Sequence, residues 1–216
     1  MIHNLSKNNS LVSQWMHELR SISIQNDRLR FRKNLERIGE VAAYEISKTL
    51  DYAKVDTETP MGVHPCYTLK KQPIVATILR AGIPLHQGVL NFFDHADAAF
   101  IAGFRKYHKD GSFTIAQHYL TIPEMDGKDL ILTDPMIATG SSMLLAIESL
   151  KNEANFNNIH VITAIACNEG LEKISRKFPE VHIWTGDIDD ELTAKGYIVP
   201  GLGDAGDLAY GEKFRY

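Results

Sequence analysis

Cysteine is scarce in this chain. Its two residues, Cys66 and Cys167, stand far apart and outside any C-x-x-C pairing, so the sequence offers neither a zinc-site spacing nor a disulfide framework. Two idle thiols fit a reducing compartment. Long apolar runs are missing too: none approaches the length of a membrane span, and the opening residues Met-Ile-His-Asn-Leu-Ser-Lys lack the basic-then-apolar pattern of a secretion signal. A cytoplasmic protein without a membrane partner is therefore expected. Nor does charge of one sign dominate. The formal net charge is −4, so no global field recruits nucleic acid or anionic lipid, and any anion must be held by a local constellation. Internal repeats, low-complexity segments and interdomain linkers are also lacking.

What is present suits a soluble globular protein. The 216 residues are 44% apolar and 23% charged, enough for one domain with a full core. Apolar residues three or four apart from Asp27 to Leu50 (Phe31, Leu35, Ile38, Ala42, Ile46) predict an amphipathic helix. Two prolines and a glycine in residues 57–65 predict a loop. From residue 73 onward, strands and helices alternate. Strands are predicted over 73–79, 97–104, 129–134, 160–166 and 181–186, an extended ribbon over 112–120, and helices over 83–93, 142–152 and 169–178. Pro84 falls in a first helical turn, where proline is tolerated, and residues 105–112 read as a polar, basic loop. Near-continuous apolar strands separated by helices predict an α/β fold whose parallel sheet is covered on both faces. In such sheets ligands gather beyond the carboxyl ends of the strands. Three unusual segments fall there: Leu79–Gly82, Phe104–Lys106 and Asp134–Ser142.

The third segment carries the most chemistry. Asp134 ends a buried strand, and Thr139, Gly140, Ser141 and Ser142 immediately precede a helix. Free main-chain N–H groups, hydroxyls and a glycine at a helix start form a phosphate nest, although Ser and Thr in that place are also common plain caps. The carboxylate alters the balance, because it repels phosphate yet accepts hydrogen bonds from sugar hydroxyls. Acid plus nest suits a ribose 5-phosphate. A triphosphate loop of the G-x-x-x-x-G-K-[ST] kind would need a lysine here, and none is present; the G-x-G-x-x-G dinucleotide pattern is absent as well. The nine histidines show no pairing with a serine or cysteine at a strand-end elbow, and none is assigned chemistry.

The stretch Ile131-Leu-Thr-Asp-Pro-Met-Ile-Ala-Thr-Gly-Ser-Ser-Met143 resembles the phosphoribosyl-pyrophosphate (PRPP) motif of type I phosphoribosyltransferases, and within them of the uracil phosphoribosyltransferases. Pro135 stands where most of the wider group has a second acid, as in the uracil branch, and Ser141 stands where the family usually has a second glycine. Residues 78–90, "ILRAGIPLHQGVL", resemble a second fingerprint, and residues 195–211, "KGYIVPGLGDAGDLAYG", a third. The resemblance implies a type I phosphoribosyltransferase-like sheet flanked by helices. It implies one domain over residues 1–216, with a core over about 70–190 and a base-binding hood made by residues 191–216 and the adjacent ribbon. It also implies that uracil and PRPP yield UMP and pyrophosphate. PRPP would be bound by Arg80, Arg105, Asp134, Pro135, Met136, Ile137, Ala138, Thr139, Gly140, Ser141, Ser142 and Asp204. Uracil would be read by Ile198, Gly203, Asp204 and Ala205, with Asp204, Arg80 and Arg105 as the catalytic side chains. Mg²⁺ would travel mainly on PRPP, with no dedicated protein ligands. A homo-oligomer is expected, a GTP effector is admitted, and nucleic acid is not expected as a partner. The alternatives are an RNA-binding regulator built on the same fold, disfavoured by the short basic run, and a transferase for another base, which the "GYIVPGLGDAG" stretch separates from the uracil reading.

Overall fold

The computed structural model describes residues 1–107 and 113–213. The chain opens with β1 (Ile2–Asn4), α1 (Leu11–Arg20) and α2 (Arg28–Ser47). A hairpin of β2 (Tyr52–Thr59) and β3 (Gly62–Leu69) leads to β4 (Ile74–Leu79) and α3 (Ile83–Phe92). Next come β5 (Asp97–Tyr107), β6 (Phe113–Thr121), β7 (Lys128–Thr133), the short β8 (Met136–Ile137) and α4 (Ser141–Glu153). The chain then forms β9 (Phe156–Cys167), α5 (Asn168–Lys177), β10 (His182–Asp189), the short pair β11 (Glu191–Leu192) and β12 (Ile198–Val199), and α6 (Ala205–Tyr210).

The main sheet runs β1-β10-β9-β7-β4-β5-β6, with β8 paired to β9. Every pairing in it is parallel except β5 with β6, so the sheet is mixed and mostly parallel. Successive strand residues face opposite ways. Val75, Ile131 and Ile162 thus join α1, α2, α3 and α6 in one core, while Ile74, Ala76, Leu130 and Leu132 join α4 and α5 in the other. Burial on both faces explains the continuous apolar strand sequences. Among the described residues, no helix is long and apolar enough to cross a membrane.

Local chemistry sets the helix starts. Ser10 caps α1, accepting from the Val12 N–H, and Asp27 caps α2, accepting from the Arg30 N–H. Pro84 sits in the first turn of α3, where its missing N–H costs nothing. α2 and α3 cross at main-chain contact. A methyl on Gly39 would lie 2.4 Å from the Leu85 oxygen, and one on Gly88 would lie 2.0 Å from the Glu36 oxygen.

Two sequence expectations need correction. Residues 57–65, expected as a loop, form the end of the β2–β3 hairpin, paired in register from Tyr52–Leu69 to Thr59–Gly62. A two-stranded arm has two edges, and proline is tolerated on an edge because no ladder donor is needed there; Pro65 sits in β3 opposite Asp56 for that reason. Residues 105–107, expected in a basic loop, continue β5 and pair with β6, and residues 108–112 lie outside the described residues. The ribbon expected over 112–120 is β6.

Replacing Gly88 by alanine pits about 1 kcal/mol of improved helix propensity against a main-chain overlap that no flexible side chain can relieve, of the kind that costs about 1–3 kcal/mol. Gly88→Ala is expected to lower the urea midpoint of unfolding, whereas propensity acting alone would raise it.

Candidate functional site

The site is built where β7 ends. The Asp134 N–H donates to the Ile162 oxygen, and the Pro135 oxygen accepts from the N–H groups of Ala164 and Ile165. With the short β8 paired to β9, these bonds tie the irregular segment back to the sheet. Pro135 thus serves through its carbonyl, and its missing N–H is not needed. The chain then turns through Gly140, whose φ of 74° lies in the left-handed region that favours glycine. A methyl there would also approach the Gly170 oxygen of α5 to 3.0 Å. Gly140 gives α4 no side-chain cap, so main-chain donors of the first helical turn remain available to an anion. The Ser141 hydroxyl accepts from the Thr139 hydroxyl at 3.2 Å and from Lys173 Nζ at 3.2 Å.

This segment lines a cavity of about 780 Å³. Residues 78–81, at the end of β4 and just beyond it, form a second wall and include the half-exposed Arg80. Ile101, Ala102 and Gly103 of β5 form a third, and residues 195–197, 203–207 and Lys213 close the remaining side. Asp204 caps α6, its Oδ1 accepting from the N–H groups of Gly206 and Asp207. Arg80 Nη2 lies 3.9 Å from Asp207 Oδ1, a buried oxygen with no hydrogen-bond partner among the described residues.

Asp134 is the strongly perturbed acid of the cavity. Burial pushes its carboxyl up to about 7, against the opposing pull of the Met136 N–H and the Lys213 charge. Near neutral pH it can therefore hold or release a proton. The buried histidines serve elsewhere. His86 Nε2 bonds the Val75 oxygen inside the core, and His160 Nδ1 accepts from the Trp184 indole.

The comparisons with known proteins fall on this same framework. The family model described as "Uracil phosphoribosyltransferase" matches residues 6–212. The chain belongs to the uracil phosphoribosyltransferase family. It is 46% identical over 214 residues to a uracil phosphoribosyltransferase of Porphyromonas gingivalis, covering 99% of each chain. It is 41% identical over 189 residues to one of Pyrococcus furiosus, covering 86% of this chain and 81% of the other. The solved structure of the AQ2163 protein from Aquifex aeolicus superposes with a TM-score of 0.84 at 32% identity over 98% of both chains. An adenine phosphoribosyltransferase from Trypanosoma brucei reaches 0.59 at 12% identity over 94% of this chain and 87% of the other, and shares the fold.

Within this uracil phosphoribosyltransferase framework, Arg80, Asp134 through Ser142, Gly203, Asp204 and Ala205 all line one cavity. Ile198 does not: its side chain is buried in the core, and its main chain pairs with Leu192. The side chain of Arg105 lies outside the described residues. Sequence reasoning missed Asp207, Tyr197 and Lys213. Asp207 had a readable signal, since it follows Asp204 by three residues at the start of a helix and so returns toward the same side. Lys213 had none, being a single lysine after the last helix.

The Asp134 shift has a stability consequence. The folded protein holds this proton more tightly than the unfolded chain, whose carboxyl titrates near 4. Stability is therefore lost as pH rises from about 4 toward 7 and levels off above. Asp134→Asn is expected to melt higher than the parent at pH 8, with the gap closing as pH falls toward 4, in thermal melts of the ligand-free protein at fixed ionic strength.

Proposed function

We propose that this protein transfers the 5-phosphoribosyl group of PRPP to N1 of uracil, forming UMP and releasing pyrophosphate. The observation that carries this reading is that one cavity joins the acid-plus-helix-start segment, Arg80 and the Gly203–Ala205 loop. The family match over residues 6–212 supports the same chemistry.

In this reading Asp134 accepts from ribose hydroxyls, and residues 138–142 hold the 5-phosphate on main-chain donors and hydroxyls. Pro135, Met136 and Ile137 shape the floor between them. Arg80 takes the departing diphosphate, because a guanidinium offers a planar fork of permanent charge; Arg105 is assigned the same task. Main-chain groups of Gly203–Ala205, which line the cavity, read the edge of the base. A cytosine would put a donor where uracil has an acceptor, leaving buried groups unpaired. No covalent nucleophile is required. Attack at the anomeric carbon, with pyrophosphate leaving from the opposite face, inverts that centre through an oxocarbenium-like transition state, and the protein contributes alignment and charge stabilisation.

The family resemblance also brings Mg²⁺. Among the described residues no group of three or more His, Cys, Asp or Glu side chains could hold a metal ion. The acids lining the cavity, Asp134, Asp204 and Asp207, are hard oxygen donors and fit an ion carried mainly on substrate oxygens and touched by one or two carboxylates. When bound, that ion would shield the charge of the diphosphate.

Self-association is supported by the β2–β3 arm. Met61 is 98% exposed, Val63 67% and Tyr67 70%, whereas a lone two-stranded hairpin is marginal in water. A second copy of the chain is the proposed cover, and sedimentation at micromolar concentration is expected to give at least twice the monomer mass.

The activity itself is tested by incubating the protein with PRPP, Mg²⁺ and each nucleobase in turn. UMP from uracil alone is expected, and product only from another base overturns the specificity. In the same assay Asp204→Asn, which keeps the helix cap, is expected to lower kcat by about a hundredfold; near-normal turnover with unchanged PRPP binding removes Asp204 from the chemistry. Adding GTP to that assay tests the effector.

A further inference from the structure

The loop assigned above to the base is a thin partition. Gly203, Asp204 and Asp207 line the main cavity on one side and a smaller hollow of about 290 Å³ on the other. With open space on both sides, packing alone cannot fix these residues. The Asp204 cap ties Asp204 and Asp207 to α6, and the entry to the loop is set by Gly201 and Leu202, which are buried where Gly203 is exposed.

Those two residues are gripped from the far end of the sequence. Arg20, at the end of α1, donates from Nη1 to the Gly201 oxygen at 3.0 Å and to Asp189 Oδ2 at 2.8 Å. Its Nη2 donates to Asp189 Oδ1 at 2.7 Å and to Asp187 Oδ2 at 2.7 Å. Asp189 Oδ2 in turn accepts from the Gly201 N–H at 2.8 Å. Both polar groups of Gly201 are thereby held by one ion pair. The side-chain amide of Gln25 donates to the Leu202 oxygen at 3.2 Å, and also to the Leu19 and Arg20 oxygens, so it ties the next residue to the same corner of α1. Burial alone would push the Asp189 carboxyl up, but the Arg20 guanidinium and the Gly201 N–H hold it below the usual carboxylate range. Bidentate pairing with a carboxylate is a task lysine cannot reproduce.

We propose that Arg20 is a positioning residue for base recognition, acting through Asp189 and Gly201, with Gln25 as its second point of attachment on Leu202. The proposal rests on the assignment of Gly203–Ala205 to uracil. It assigns Arg20 no contact with substrate. Its role is to hold the loop's main-chain groups in the one register that matches the edge of the base. Such a residue affects the base far more than the phosphoribosyl donor, most of whose assigned sites, Arg80 and Asp134–Ser142, follow β4 and β7 rather than β10, Asp204 being shared.

The test is steady-state kinetics with both substrates, together with direct binding of PRPP, on Arg20→Gln, Arg20→Lys and Gln25→Ala. Arg20→Gln is expected to raise KM for uracil about tenfold or more, the scale of one lost charge-assisted hydrogen bond, while PRPP affinity stays within about twofold. It is also expected to narrow the preference for uracil over cytosine, which a general loosening of the fold would not do. Arg20→Lys is expected to fall between. Gln25→Ala leaves no buried charge behind and so guards against a variant that fails to fold. It is expected to shift KM for uracil in the same direction, by about threefold, with an unchanged melting temperature. Equal losses for uracil and PRPP, or no change in the uracil parameters of Gln25→Ala and a folded Arg20→Gln, would overturn the clamp. If the parent protein itself makes no UMP, the base assignment fails instead, and the two failures are told apart by that control.

Discussion

The central pairing of β4 with β7 is the constraint on which the site depends. Its last rung sets Thr77 beside Thr133, and there each hydroxyl closes onto the neighbouring strand. Thr77 Oγ1 donates to the Thr133 oxygen at 3.3 Å, and Thr133 Oγ1 donates to the Ala76 oxygen at 3.2 Å. Both threonines are fully buried, so these bonds form in surroundings where leaving a partner unmade is costly. Immediately beyond this rung the two chains part. One leads to Arg80 and the other to Asp134. The separation of cation and acid across the cavity is therefore inherited from strand register rather than from any contact between the loops.

A cavity meant for an anionic substrate would not be expected to carry Asp134, Asp204 and Asp207. The arrangement is consistent because the charges are segregated. In the proposed reading phosphate meets main-chain donors at the start of α4, which has no side-chain cap, whereas the acids face the sugar hydroxyls and the base. Asp204 spends one oxygen on two N–H groups of α6, and Asp134 is desolvated enough to lose its charge near neutrality. The cavity is less anionic than a count of its acids implies.

Much of this was legible in the sequence, and for definite reasons. β7, the turn and α4 were readable because an apolar run and a small-residue turn mark a strand end and a helix start, and the acid tipped the turn from a plain cap toward a phosphate nest. Ser141, which departs from the usual second glycine, proves compatible with the turn because its φ is not left-handed; that duty falls on Gly140. The hairpin was misread because Pro60, Gly62 and Pro65 look like loop punctuation, and pairing between two edges leaves no burial pattern to contradict them. α1 offered no motif, although its apolar Val12, Met16 and Leu19 are buried at helical spacing. The grip of Arg20 on Gly201 was not legible at all. A single arginine 181 positions from its partner carries no local periodicity, and only the folded sheet brings β10 between them.

The crossing of α2 and α3 has a mechanical consequence. Gly39 and Gly88 let the helices touch backbone to backbone, and Asn91 of α3 donates to Glu36 and Glu40 of α2 at 3.0 and 2.9 Å. Neither helix can slide or tilt without the other, and the pair behaves as a single beam. Because the Ile83 N–H that opens α3 donates to the Arg80 oxygen at 3.2 Å, Arg80 is mounted at the beam's end. In deuterium oxide, the protected amides of both helices should then exchange in one cooperative opening, rather than fraying one helix at a time.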